Sequence, residues 1–270
     1  MLKQATDIRD AEQCRRLATM TQERFGRIDA LVNSAFFWGS PATAGAADLD
    51  GWTAVVDTNL LGTMRMTQAV VPIMQAGGGG AIVNISTMAT MKPHTGEAGY
   101  AASKGALNVV SKYLATELGP SNIRVNVVRM GWMYGAPVQQ FIRQAAKAQG
   151  VPEQQVYDSI AANVPLCRLV TGDECARAAL FLAYDYASAI TGATLDANGA
   201  AWARSRRITT RKSRSSGGWA VRSSGSCREI STAVAPVAHA AMAAAAPPAK
   251  TSAVSRLGAA RPRGPGQWLG

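Results

Sequence analysis

The run Tyr100-Ala101-Ala102-Ser103-Lys104 places a phenol and an ammonium four positions apart. On a helix that spacing sets both side chains on one face, with Cβ atoms about 5–6 Å apart. A phenol titrates near a pH of about 10 in water. A fixed positive charge beside it favours the phenolate and lowers that value. Such a pair can exchange a proton with an alcohol or carbonyl oxygen near neutral pH. A Tyr and a Lys four apart also occur by chance, so the pair needs company. Thr87 lies thirteen residues earlier, next to Ser86, just after a short apolar run. Asn59 sits between Val56 and Leu60 in a stretch of helical period, where a polar side chain needs a reason.

The elements that must position these side chains alternate between two periods. Asp10 followed by Gln13 forms a capping-box pattern, and Cys14, Leu17, Met20 and Phe25 follow at helical spacing up to Gly26. Residues 28–33 read as a short apolar strand. A long helix is predicted over 50–74, with Trp52, Val55, Val56, Leu60 and Met64 on its apolar face. The glycines at 77–80 turn into a β-branched strand over 81–85. Residues 100–118 read as a helix stopped by Gly119-Pro120, and 123–128 as a strand. Further helices are predicted over 138–149, 152–162 and 173–187, with a last strand over 193–197. Short, wholly apolar strands alternating with helices imply a parallel sheet covered on both faces. The fold class is therefore α/β, a doubly wound, Rossmann-like parallel sheet. Ligands of such folds sit at the carboxyl edge of the sheet, where Thr87 and residues 31–35 each close a strand.

Taken in order, several segments resemble the short-chain dehydrogenase/reductase family. They are Thr6-Asp7-Ile8, Gly26-Arg27-Ile28-Asp29-Ala30-Leu31-Val32-Asn33-Ser34-Ala35, Asn59-Leu60-Leu61-Gly62 and Ile82-Val83-Asn84-Ile85-Ser86-Thr87. Tyr100 to Lys104, Arg124-Val125-Asn126-Val127-Val128, Gly131 and Ile190-Thr191-Gly192 complete the set, which spans residues 5–200. The resemblance implies an oxidoreductase that moves a hydride between NAD or NADP and a small-molecule carbonyl or secondary alcohol. It implies Tyr100 as general acid/base, and Lys104 as the group that lowers its pKa and holds the nicotinamide ribose. Thr87 stands where the family usually has a serine that orients the substrate oxygen, with Ser86 as an adjacent hydroxyl. Asn59 matches the asparagine that holds a proton-relay water. Asp7 and Ile8 match adenine contacts, and Asn33, Ser34 and Ala35 match the strand end beneath the cofactor. Gly131 falls on the loop near the nicotinamide amide. The resemblance also implies a homo-oligomer, dimer or tetramer, built on the helices over 50–74 and 100–118.

The pattern departs from the family in four places. Phe36 replaces a usual glycine, Met130 a usual proline, and Gly135 a frequent threonine. The fourth departure is the family's opening strand, Gly-x-x-x-Gly-x-Gly turn and second strand, which find no counterpart. Gly77 to Gly80 precede a strand, whereas a phosphate cradle follows one and opens a helix. Without those two strands, the strand near Ala5 is orphaned and the one at 28–33 shows an apolar edge. The expectation is an N-terminally truncated domain that folds less firmly and binds cofactor weakly. The alternative is a non-catalytic remnant that keeps the catalytic residues and cannot hold cofactor. The family's NAD-versus-NADP selector lies in the second strand, so that choice stays open.

Composition narrows the rest. The chain has 270 residues with 28 Lys plus Arg against 17 Asp plus Glu, a net charge of +11. Residues 1–200 are balanced in charge, and 201–270 hold the whole excess, with Glu229 the single acid. The expected organisation is a Rossmann-like domain over 1–200 and a basic, low-complexity, disordered C-terminal tail over 201–270. Trp202, Trp219 and Trp268 are too scattered to interleave with the charge, so nucleic acid is not an expected partner. Cys14, Cys167, Cys175 and Cys227 lie far apart and histidine occurs twice, so no metal site is expected. No apolar run of about 18 residues spans a bilayer, and the expected setting is cytoplasmic with no membrane partner. Phe36, Phe37 and Trp38 either line a substrate pocket or pack a lid. His94 reads as a solvated loop residue, with substrate contact as its alternative, and 132–166 as a variable lid.

Overall fold

The computed structural model describes residues 1–201; the tail, and every expectation placed on it, lies outside the described residues. Helix α1 spans Ala11–Phe25. Asp10 caps it, its Oδ1 accepting from the backbone N–H of Glu12 at 2.8 Å and of Gln13 at 3.2 Å. Gly26 closes it at φ 81, the left-handed conformation that glycine adopts without a Cβ clash. The reciprocal half of the capping box is rerouted, because Gln13 Oε1 accepts from the Asp7 N–H at 2.9 Å instead. Residues 1–7 carry no regular structure, so the strand expected near Ala5 does not form.

Strand β1, Ala30–Asn33, leads into a long helical rod made of three pieces. These are α2 (Leu49–Val56), a π-helical segment (Asp57–Gly62) and α3 (Thr63–Ala76). The single helix predicted over 50–74 is thus widened in its middle. The extra residue rotates the remainder of the rod, so Met66, Val70 and Met74 are fully buried while Leu60 and Met64 are only partly so. Strand β2 (Gly80–Thr87) comes next, then α4 (Ala98–Leu118), β3 (Ile123–Met130) and the short β4 (Met133–Tyr134). Helices α5 (Ala136–Gln149) and α6 (Glu153–Ala161) precede β5 (Val170–Thr171), α7 (Gly172–Ala183) and β6 (Thr194–Ala197).

The main sheet has the order β1-β2-β3-β6, all parallel. Leu31, Ile82, Ile123 and Val125 bury one face against Cys14, Leu17, Met66, Val70, Met74 and Leu114 of α1, α3 and α4. Val83 and Val128 bury the other face against Ala179 and Leu182 of α7. Among the described residues β1 pairs with β2 alone and is an edge. A third cluster, with Ile142, Ala145, Val156 and Leu169, holds α5 and α6 as a lid over Met88. The β4–β5 ladder, Met133 with Val170 and Tyr134 with Thr171, ties that lid to the start of α7. No described helix is long and apolar enough to cross a membrane.

Candidate active site

Parallel pairing brings the carboxyl ends of β1, β2 and β3 to one edge. Asn33 is level with Asn84, and Thr87 with Met130, so Ala35, Thr87 and Gly131 follow neighbouring strand ends. Helix α4 starts over this edge and carries Tyr100 and Lys104. The Thr87 hydroxyl hydrogen-bonds the Tyr100 phenol and also caps the turn after β2 by accepting from the Ala89 N–H at 3.2 Å. Ser86 does not share this duty. Strand alternation sends its side chain to the opposite face, where its Oγ is buried without a partner.

Lys104 is 2% exposed, and its Nζ donates to the Ile85 carbonyl at 2.8 Å. Burial lowers its pKa to about 8. The expected lowering of the phenol is not what governs Tyr100 here. Burial pushes its pKa well up, the Thr87 hydrogen bond pulls against that, and the charge of Glu97 pushes further up. Tyr100 is therefore protonated at neutral pH in this arrangement.

Asn59 has the reason its position demanded. Its Nδ2 donates to the Phe37 carbonyl and to Ser103 Oγ, each at 2.9 Å, and its Oδ1 accepts from the Phe37 N–H at 2.7 Å. Ser103 Oγ in turn donates to the Tyr100 carbonyl at 2.7 Å. The π-helical segment thus pins the loop after β1 to the first turn of α4. That loop puts Trp38 on the phenol, stacked with ring centroids 4.5 Å apart, while Phe36 meets it edge-on at 6.3 Å. Phe36 and Trp38 therefore line the site, and Phe37 holds it through its backbone.

The other expected residues divide. Asn33 turns its amide inward, donating to Asn84 Oδ1 at 2.9 Å and Thr67 Oγ1 at 3.3 Å, which leaves the strand end itself to face a ligand. Ser34 is exposed and Ala35 is buried beside it. Asp7 holds Arg9 in a two-pronged pair, closest at 2.6 Å, and that pairing draws its carboxyl below the usual range. Ile8 is buried against Gly62, where a Cβ would meet its Cγ1 at 2.7 Å. Gly131 is required by packing, since a Cβ there would lie 2.9 Å from Asn198 Cβ. His94 is not solvated: it is half-buried, its Nε2 has no partner, and its ring meets Trp132 edge-on at 6.5 Å. Burial lowers its pKa, and Lys92 lowers it further. Sequence reasoning missed Glu97 and Ser103 as parts of the site. The signal was their spacing, each three residues from Tyr100 on the same helical start.

The sequence profile described as enoyl-(acyl carrier protein) reductase matches residues 4–199. The chain belongs to the short-chain dehydrogenase/reductase family. It is 35% identical over 194 residues to a 3alpha-hydroxysteroid dehydrogenase of Mediterraneibacter gnavus, covering 72% of this chain and 73% of that one. A xylitol dehydrogenase solved with NAD+ superposes with a TM-score of 0.64 at 28% identity, over 71% of this chain and 75% of that one. A gluconate 5-dehydrogenase from Burkholderia cenocepacia, solved with NADP and tartrate, gives 0.63 at 28% identity, over 72% of both chains. This short-chain dehydrogenase/reductase is thus an oxidoreductase of a family that uses NAD or NADP.

Proposed function

We propose that the chain moves a hydride between NAD or NADP and a small-molecule carbonyl or secondary alcohol, with Tyr100 exchanging the proton. The meeting of the Tyr100 and Thr87 hydroxyls at the sheet's carboxyl edge, with Lys104 buried one turn further along α4, carries this reading. The nicotinamide, when bound, supplies or accepts the hydride. In reduction, Tyr100 gives its proton to the carbonyl oxygen as the carbon gains the hydride, and the alcohol leaves. The raised phenol pKa keeps that proton in place at neutral pH. Thr87 offers a second hydroxyl to the same oxygen.

Lys104 suits the cofactor's ribose. An ammonium has three donors, and Lys104 spends one on Ile85, which leaves the others for ribose hydroxyls. Its charge also stabilises the phenolate that forms after proton transfer. Asn59 acts as a positioning residue through Phe37 and Ser103. The pyrophosphate end is served less well. Among the described residues no glycine-rich turn leads from a strand's carboxyl end into a helix, because the glycines at 77–80 enter β2 at its amino end.

Leu61, Val109 and Tyr113, exposed at 45%, 56% and 65% on the helical rod and α4, support self-association through these helices. The test is a fluorescence titration of monodisperse protein with NADH and NADPH, followed by turnover of ketones with Tyr100→Phe as control. Saturable binding with Tyr100-dependent turnover supports the proposal. Folded protein that binds neither cofactor up to millimolar levels overturns it and leaves the non-catalytic alternative.

A further inference from the structure

We propose that Trp38 is a gate over the proton donor. Its indole covers the Tyr100 ring in the closed position and swings out toward solvent to admit substrate. This rests on the reading of Tyr100 as the proton donor and adds a moving part to that site.

The closed position is measured in the rings. Trp38 lies on Tyr100 with ring centroids 4.5 Å apart and planes 29° apart. Phe36 meets a second side of the phenol ring edge-on at 6.3 Å, and the Thr87 hydroxyl occupies the phenol oxygen. Lys104, one turn further along α4, is 2% exposed. Both groups that substrate and cofactor have to reach are therefore covered. A covered proton donor reacts only when its cover moves.

Trp38 is the part of the cover that is free to move. The backbone is fixed just before it, because Asn59 holds the N–H of Phe37 at 2.7 Å and its carbonyl at 2.9 Å. No hydrogen bond holds the indole, whose Nε1 is buried without a partner. A buried indole N–H ordinarily finds one. Closed, the ring gains the stacking contact and forgoes that bond; open, it loses the contact and bonds to water. Two opposed terms of similar size give two accessible positions. Solvent is close at hand, since Trp38 is half-buried and Ser40 exposed. A cleft runs beside the stack, with Gly39, Gly96 and Gly99 among its lining, so the ring has room to start turning. Gly39 follows the indole at φ 78, a left-handed bend in the chain.

The test is acetylation of tyrosines by N-acetylimidazole in the full chain, Trp38→Ala and Trp38→Phe, read by peptide mass spectrometry. Tyr186 and Tyr113, 83% and 65% exposed, are the internal references. An open state populated at about 0.1–10% slows reaction of a covered group by about ten- to a thousand-fold. In the unaltered chain Tyr100 should react at least about tenfold more slowly than Tyr186, yet still react well below the thermal midpoint. Trp38→Ala should speed Tyr100 by about tenfold or more and leave Tyr186 unchanged. Trp38→Phe keeps a stacking ring, so its rate should stay nearer that of the unaltered chain. If Trp38→Ala does not fold, Trp38→Leu, which keeps apolar bulk and loses the stack, should show the same rise. Equal Tyr100 rates with and without the indole overturn the gate, because the ring then covers nothing. No reaction in the unaltered chain until it unfolds also overturns it, because the indole is then a fixed wall. Acetylation needs neither cofactor nor turnover, so the gate and the hydride-transfer reading fail separately.

Discussion

Two buried polar regions of this molecule lie close together and are wired in opposite ways. Through the middle of the sheet, Asn33 Nδ2 donates to Asn84 Oδ1 and Asn84 Nδ2 to Ser111 Oγ, both at 2.9 Å. Ser111 Oγ ends the chain on the Leu107 carbonyl at 2.7 Å. Every link has a partner, and together they lock β1, β2 and α4 in one register. At the carboxyl edge, Trp38 Nε1 and His94 Nε2 are buried without partners. Glu97, a residue only 9% exposed at the start of α4, makes no side-chain cap bond. A buried polar group left unpaired costs about 1–3 kcal/mol. The first region is therefore fully paired from within, and the second is not.

The contrast can be broken most sharply at Tyr100. Removing its hydroxyl in Tyr100→Phe should lower kcat by on the order of 10²–10⁴-fold while the thermal midpoint holds. Activity that survives this change would detach the chemistry from the carboxyl edge. Asn84→Ala cuts the paired region at its centre, removing two hydrogen bonds and leaving the Asn33 amide with Thr67 alone and the Ser111 hydroxyl with the Leu107 carbonyl alone. Urea denaturation should show a loss of about 2–4 kcal/mol; a loss below about 1 kcal/mol would mean the chain of amides is not structural.

A pH series sharpens the second region. The carboxyl of Glu97 titrates at about 7 in the folded chain against 4.5 for the free side chain. A raised carboxyl holds its proton more tightly when folded. Its contribution is full below the unfolded value and is lost as pH climbs through about 7. Between about pH 5 and pH 8 the chain should lose about 2 kcal/mol of stability that Glu97→Gln does not lose. Parallel profiles for the two proteins would show that the carboxyl is solvated. The smallest effect is expected at Ser86, whose hydroxyl has no partner to lose. Ser86→Ala removes that buried, unpaired hydroxyl and should raise stability, by no more than about 1 kcal/mol, in the same assay.

Much of this was legible in residue order. Asp10 and Gly26 mark the ends of α1 as observed. Alternating short strands and helices announced a parallel sheet, and the Tyr100–Lys104 spacing put a phenol and an ammonium on one helix, α4. Other features were hidden for identifiable reasons. The π-helical segment around Asn59 depends on Phe37 and Ser103, residues 22 and 44 positions away, and no local period reports such partners. The β4–β5 ladder is two residues long on each side, too short for a period to register. Phe36 and Trp38 read equally as pocket or packing until the loop was seen folded onto Tyr100.

What the sequence by itself determined is whatever rests on spacing along the chain: helix ends, strand periods, and a phenol and an ammonium on one helical face. These arise from backbone geometry, which repeats every few residues. Tertiary structure alone decided how those groups are solvated and what they touch. Lys104 turns to the Ile85 carbonyl, burial keeps the proton on Tyr100, and Asn59 reaches Phe37 and Ser103. Desolvation and partnership depend on segments that are distant in sequence and adjacent only once the sheet has formed.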